Sequence, residues 1–241
     1  MNANYTILKF SDRDALATQL VDDIVSQLEV AIKQKGGAVL ALSGGSTPKK
    51  MLKVLSQASL DWSKVVVTLV DERCVPLSHD LSNAAMLQTS LLNSLPEATV
   101  FVPLYVEADS NQQLVESVLE KYCAATGSLS DSPAPFDVVI LGMGEDGHTA
   151  SFFPDADNVT QLVDENESEK LLTCESASTQ VQRITWSLPM LLQAQMLALH
   201  IEGDSKASVL DQALSSDNKE EMPIRGAIFQ QVTPLTIYHT S

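Results

Sequence analysis

Leu16, Leu20, Ile24, Leu28 and Ile32 recur every four residues within positions 11–35, which aligns them on one face and predicts a long amphipathic helix. Ser11 and Asp14 stand where a helix start places them, and Gly36-Gly37 ends the pattern. Positions 38–42 then form an unbroken apolar run of strand length. Gly44-Gly45-Ser46-Thr47-Pro48 leads from it into a helix through Leu55, whose first turn suits Pro48.

The same unit recurs along the chain. β-branched residues at 65–70 predict a strand, and Ser82 is placed to cap a helix through Leu92. Val100 and Val102 precede a helix over 111–125, and 138–141 is another short apolar strand. A strand over 195–201, a helix over 204–214 and a last strand over 235–238 complete the alternation. Unbroken apolar strands are buried on both faces. The expected fold is therefore α/β in three layers, a mostly parallel central sheet with helices on both faces, Rossmann-like in kind. The acidic stretch 164–169 reads as an exposed loop, since the alternation resumes after it, and residues 1–241 are expected to form a single domain. In such a sheet ligands gather beyond the carboxyl ends of the strands, so the loops that follow strands are the ones to inspect for chemistry.

Composition narrows the possibilities. No run of eighteen apolar residues exists, and positions 1–10 lack the basic start and apolar centre of a signal peptide, so a soluble, cytoplasmic protein is expected. Cys74, Cys123 and Cys174 are odd in number and unpaired in spacing, which reads as free thiols rather than a disulfide framework or a cysteine zinc site. A formal net charge of −16 with no basic run argues against nucleic-acid and anionic-membrane partners. An acidic chain with only four arginines must gather its cations to handle a small anion, which directs attention to Arg73, Arg183 and Arg225 near loops, with Arg13 in the first helix.

Four segments carry candidate chemistry. Ser43, Gly44, Gly45, Ser46 and Thr47 let the backbone approach an anion while the following helix turns its free N–H groups toward it, although an ordinary tight βα turn has the same look. The segment is neither a P-loop nor GxGxxG, and a serine-hydrolase elbow would need glycine where Ala41 stands. Asp71-Glu72-Arg73 ends a buried strand, and desolvation predicts that its charges emerge at the sheet rim; the arginine suits a phosphate and the carboxylates suit hydroxyls or other side chains. Gly142-Met143-Gly144-Glu145-Asp146-Gly147-His148 follows another strand and exposes an imidazole on a turn, making His148 the candidate general base. His79, His200 and His239 lack such a setting and are expected at the surface or in packing. Late in the chain, Arg183-Ile184-Thr185 precedes a short helix. Lys206 stands near a helix start, where the dipole disfavours a cation unless an anion is bound. No HxE, HExxH or CxxC accompanies Asp146 and His148, so neither metal nor organic cofactor is expected.

Together LSGGSTP, DER, GMGEDGHTASFFP, RIT and GDSK stand in the order and approximate spacing of the 6-phosphogluconolactonases, and the chain resembles that family from about Ala38 to Lys206. The resemblance implies the sugar-phosphate isomerase-like fold shared with glucosamine-6-phosphate deaminases, and hydrolysis of 6-phosphogluconolactone without a cofactor. It implies a phosphate held by Ser43–Thr47 with Arg73, Arg183 and Lys206, Glu72 among the substrate-binding residues, His148 as base on water, and Asp71 and Asp146 orienting hydroxyls or the imidazole. Deaminases share the glycine turn, the Asp-Glu pair and GxGxDGH, and Asp71 is the position that resembles their base. After the histidine they continue to Asn-Glu-Pro, where this chain has Phe152-Phe153-Pro154. A non-catalytic sugar-phosphate sensor is the third reading; such sensors usually carry a DNA-binding segment, for which the chain has no spare length. The expected partner is a small sugar phosphate, and the expected assembly a monomer or homodimer. Phe152 and Trp186 replace leucine and an aliphatic residue common in the family, which bears on packing, and Arg225 is expected to be a surface cation.

Overall fold

Ala38–Leu42, Val65–Leu69 and Val138–Leu141 are buried at every residue, and they form the middle of a seven-stranded sheet. A computed structural model describes residues 4–240. The chain runs β1 (Tyr5–Phe10), α1 (Arg13–Lys35), β2 (Ala38–Leu42), α2 (Lys49–Leu55), β3 (Val65–Leu69), β4 (Asp71–Arg73), α3 (Asn83–Ser90), β5 (Val100–Val102), α4 (Asn111–Thr126) and β6 (Val138–Leu141). It continues through α5 (Val159–Leu162), β7 (Leu171–Cys174), β8 (Arg183–Trp186), α6 (Leu188–Leu192), β9 (Met196–Glu202), α7 (Asp204–Leu214), α8 (Arg225–Ile228) and β10 (Leu235–Thr240).

The large sheet has the order β1-β10-β9-β6-β2-β3-β5, and every pairing in it is parallel. From β2 the chain moves outward through β3 to β5; from β6 it moves the other way through β9 to β10. The order reverses between β2 and β6, and beyond the carboxyl ends of those strands an open α/β sheet presents its crevice. The expected α/β sheet is therefore present, with two additions. The edge strand β1, which has no fully buried residue, carried no clear strand signal. β4, β8 and β7 form a separate antiparallel sheet beyond the end of β3.

α1 starts one residue differently from expectation: Asp12 is the cap, accepting the Ala15 N–H at 2.9 Å, while Ser11 donates its hydroxyl to Asp12. Gly36, with φ 85°, ends the helix, and Leu16, Leu20, Ile24 and Leu28 are buried against the sheet. Trp186 explains its departure from the family pattern. It is fully buried, donates Nε1–H to Leu69 O at 3.1 Å, and meets Tyr122 and Phe136 edge-on at 4.7 and 5.2 Å.

Arg225 is not a surface cation. Its guanidinium is buried and donates to Gln212 O and Ala213 O at the end of α7, to Asn218 O, and to the Glu221 carboxylate at 2.7 Å. Four acceptors in a fixed fork, two of them carbonyls at a helix C-terminus, account for a buried arginine there.

Candidate active site

Ser43 continues β2 into the crevice. Its N–H donates to Ile140 O at 3.0 Å and its Oγ accepts the Gly142 N–H at 3.2 Å, which laces the two loops flanking the crossover point. Between them opens a cavity of about 330 Å³. Ser43, Gly44, Gly45, Ser46, Thr47, Asp71, Arg73, His148, Arg183 and Lys206 all line it. The structure thus brings ten of the twelve residues singled out in the sequence to one cavity.

Gly44 is held there by sterics. A Cβ on it would lie 2.0 Å from Asn83 Oδ1, and Asn83 is itself fixed by donating Nδ2–H to Asp71 O at 3.0 Å. Asn83 lines the cavity but stood out in the sequence only as the residue after a helix cap. Gly144 has the same function for the histidine, because a Cβ would come within 2.1 Å of His148 Nδ1.

The histidine turn is built to aim one ring. Asp146 Oδ1 accepts from His148 Nδ1 at 2.5 Å and from the His148 backbone N–H at 3.1 Å. This fixes Nδ1 as the donor and leaves Nε2 with a lone pair. The ring stacks on Phe153, centroids 4.1 Å apart, and Arg183 lies over the same phenyl ring with Cζ 4.7 Å from its centroid. Ile224 N–H donates to Gly147 O at 2.9 Å, so the segment before α8 steadies the turn from behind. Ala150, at φ 50°, holds a left-handed conformation costly for a non-glycine residue and lines the cavity beside His148. Burial pushes the Asp146 carboxyl up, but the His148 hydrogen bond and charge outweigh it, and the group ends below the usual aspartate range.

Two predictions at Asp71-Glu72-Arg73 are corrected. The carboxylates do not emerge at the rim; both are buried. Glu72 does not line the cavity, because its oxygens accept the N–H groups of Arg73, Asn83 and Ala84 at 2.7–2.8 Å and the Ser82 hydroxyl, anchoring the start of α3. Burial nonetheless pushes its carboxyl above the usual glutamate range against those bonds. Asp71 accepts the Ser151 hydroxyl at 2.5 Å and lies 3.7 Å from Arg183 Nη1. Asp146 reaches the cavity only through His148. His200 is buried, yet it also lines the cavity, which its setting in the sequence did not suggest.

Arg73 Nε, Thr179 Oγ1, Arg183 Nε and His200 Nδ1 are buried without a hydrogen-bond partner, and all four residues line this cavity. Unsatisfied buried polar atoms gathered in one cleft mark a place built for a polar ligand. Arg183 is pushed below the usual arginine range by burial, with the Asp71 charge opposing and Arg73 adding to the shift. Among the described residues no group of three or more His, Cys, Asp or Glu side chains is placed to hold a metal ion.

Residues 11–235 match the family described as glucosamine-6-phosphate isomerases/6-phosphogluconolactonase. The chain belongs to this family. Among curated relatives, the 6-phosphogluconolactonase of Rhizobium meliloti strain 1021 is 43% identical over 238 residues, 99% of each chain, and that of Pseudomonas putida is 37% identical over 230 residues, 95% of this chain and 90% of the other. Among solved structures, a 6-phosphogluconolactonase from Shewanella baltica OS155 superposes with a TM-score of 0.89 at 35% identity, covering 98% of both chains.

Proposed function

We propose that the protein hydrolyses 6-phospho-D-glucono-1,5-lactone to 6-phosphogluconate, the lactone-opening step of the oxidative pentose phosphate pathway. Full-length similarity to relatives named 6-phosphogluconolactonase supports the reaction. The observation that carries the mechanism is His148, held at 2.5 Å by Asp146 from behind, in the cavity that Gly44, Gly45 and Lys206 also line.

The phosphate lies in the Ser43–Thr47 loop, neutralised by Lys206 and by Arg73 and Arg183, which places C1 of the lactone beside the imidazole. Asp146 keeps the Nδ1–H tautomer, so Nε2 accepts a proton from water as the oxygen attacks C1. The tetrahedral oxyanion collapses by expelling the ring oxygen, which takes the proton back from His148. Asp71, tied to Ser151 and Asn83, orients substrate hydroxyls. Phe153, where the deaminases have the glutamate of Asn-Glu-Pro, supplies a stacking face and no carboxylate.

A formal charge of −16 disfavours nucleic acid as a partner, and no helix among the described residues is long and apolar enough to cross a membrane. The reading is of a cytoplasmic enzyme acting as a monomer or homodimer on a free sugar phosphate. Proton release from freshly made 6-phosphogluconolactone, corrected for spontaneous opening, tests the reaction. Ammonia released from glucosamine 6-phosphate instead, or binding without turnover, overturns it.

A further inference from the structure

His200 stands two residues before the end of β9 and is among the residues that line the cavity, as are the Ser43–Thr47 loop and Lys206. Its side chain is 2% exposed. Nε2 lies 3.0 Å from Glu202 Oε1, and Glu202 Oε2 lies 3.1 Å from Arg13 Nε. A carboxylate at that distance makes Nε2 a donor, so a neutral ring leaves Nδ1 as a buried lone pair with nothing to accept. His239 is also buried with an unpartnered nitrogen, but it does not line the cavity.

The charges around the ring are mixed. Glu202 shares its strand. α1 brings Arg13 and Asp14, the latter paired at 2.6 Å with Lys50 of α2, whose charge also reaches Glu202. β10 brings Tyr238, abreast of His200 in register, its hydroxyl donated to Asp23. α7 begins with Asp204 and Lys206, and β6 carries no titratable group. Arg13, Lys50 and Lys206 are the cations on the elements packed about the ring, Glu202 is the carboxylate that touches it, and a dianion bound in the cavity adds negative charge beside it.

We propose that His200 is the proton-linked part of the phosphate end: seating a phosphate dianion in the Ser43–Thr47 loop draws one proton from solvent onto Nδ1, and the Glu202-braced cation then holds the anion. This rests on the proposed reaction only for where the phosphate sits. It also gives the enzyme a way to favour phosphorylated over unphosphorylated lactones, since only the former completes the charge balance.

Calorimetric titration of the wild-type protein with 6-phosphogluconate, at about pH 7.5 in buffers of different ionisation enthalpy, measures the proton directly; the ligand's own second phosphate pKa of about 6 leaves it mostly dianionic there. We expect net uptake of a large fraction of a proton, the same in kind with inorganic phosphate and absent with gluconate. His200→Gln abolishes the uptake and Glu202→Gln diminishes it. In His200→Gln the ratio of kcat/KM for the phosphorylated over the unphosphorylated lactone falls about tenfold. No uptake by the wild type overturns the proposal whether or not the variants fold, as does an unchanged ratio. Failure of the wild type to hydrolyse 6-phosphogluconolactone overturns the proposed reaction instead, and leaves the uptake measurement to decide this inference alone.

Discussion

Arg73 and Arg183 stand directly opposite each other across β4 and β8. Like charges at facing positions of an antiparallel pair destabilise it, by about 0.2–1 kcal/mol. Both side chains line the cavity, and each keeps a buried Nε without a partner. An anion between them removes the conflict, so the pair is better explained by ligand binding than by folding.

Arg73→Gln should therefore separate affinity from stability. Loss of one charged hydrogen bond costs about 1.5–3 kcal/mol, or roughly 10- to 150-fold in KM, while kcat changes less. In phosphate-free buffer the variant should melt no lower than the wild type. Initial rates and thermal melts check the two halves, and a lower Tm with unchanged KM would make Arg73 a structural residue.

Gly44→Ala should fail for a reason that a second substitution exposes. The new methyl meets Asn83 head-on, and displacing that side chain costs about 1–3 kcal/mol and loosens Asp71. Gly44→Ala with Asn83→Ala should regain much of the stability, measured by urea unfolding, because the clash is shared by the two sites.

Asp146 links the site to acid stability. Its folded-state value lies below the ordinary 3.8, so the stability it contributes is fully present above that value and is lost as pH falls through the folded-state one. Wild-type protein should lose more stability than Asp146→Asn when the pH is taken from about 5 to about 2. At neutral pH the same variant should lose roughly 10²–10⁴ in kcat, because an amide no longer enforces the Nδ1–H tautomer. Urea melts across pH and steady-state rates test both.

Burial, reinforced by neighbouring carboxylates, pushes the thiols of Cys74 and Cys174 up to about 12. Below that the thiolate is scarce, so a disulfide reagent at about pH 8 should leave both unmodified in the native protein and label them after denaturation. Counting released thiolate chromophore before and after guanidinium addition settles it.

The sequence made the inner sheet legible because strands covered on both faces read as unbroken apolar runs. β1 and the β4-β8-β7 sheet were not legible: β1 mixes half-buried and exposed positions at an edge, and β8 joins β7 to β4, whose residues stand more than a hundred positions earlier. The glycine loop, His148 and the arginines were readable because their chemistry is local to short segments. Glu72 was misread because its partners begin α3, eleven residues on, and Arg225 because the carbonyls it caps end a different helix. His200 was passed over for the same reason: its place in the cavity depends on β9 lying next to β6, which no local pattern announces.

The central claim, that the Asp146-held imidazole activates water at the lactone carbon, is tested most directly by His148→Gln assayed with fresh 6-phosphogluconolactone, folding verified by circular dichroism. The account predicts a fall in kcat of roughly 10²–10⁴ with KM changed only a few-fold. A folded variant that keeps the wild-type kcat contradicts it.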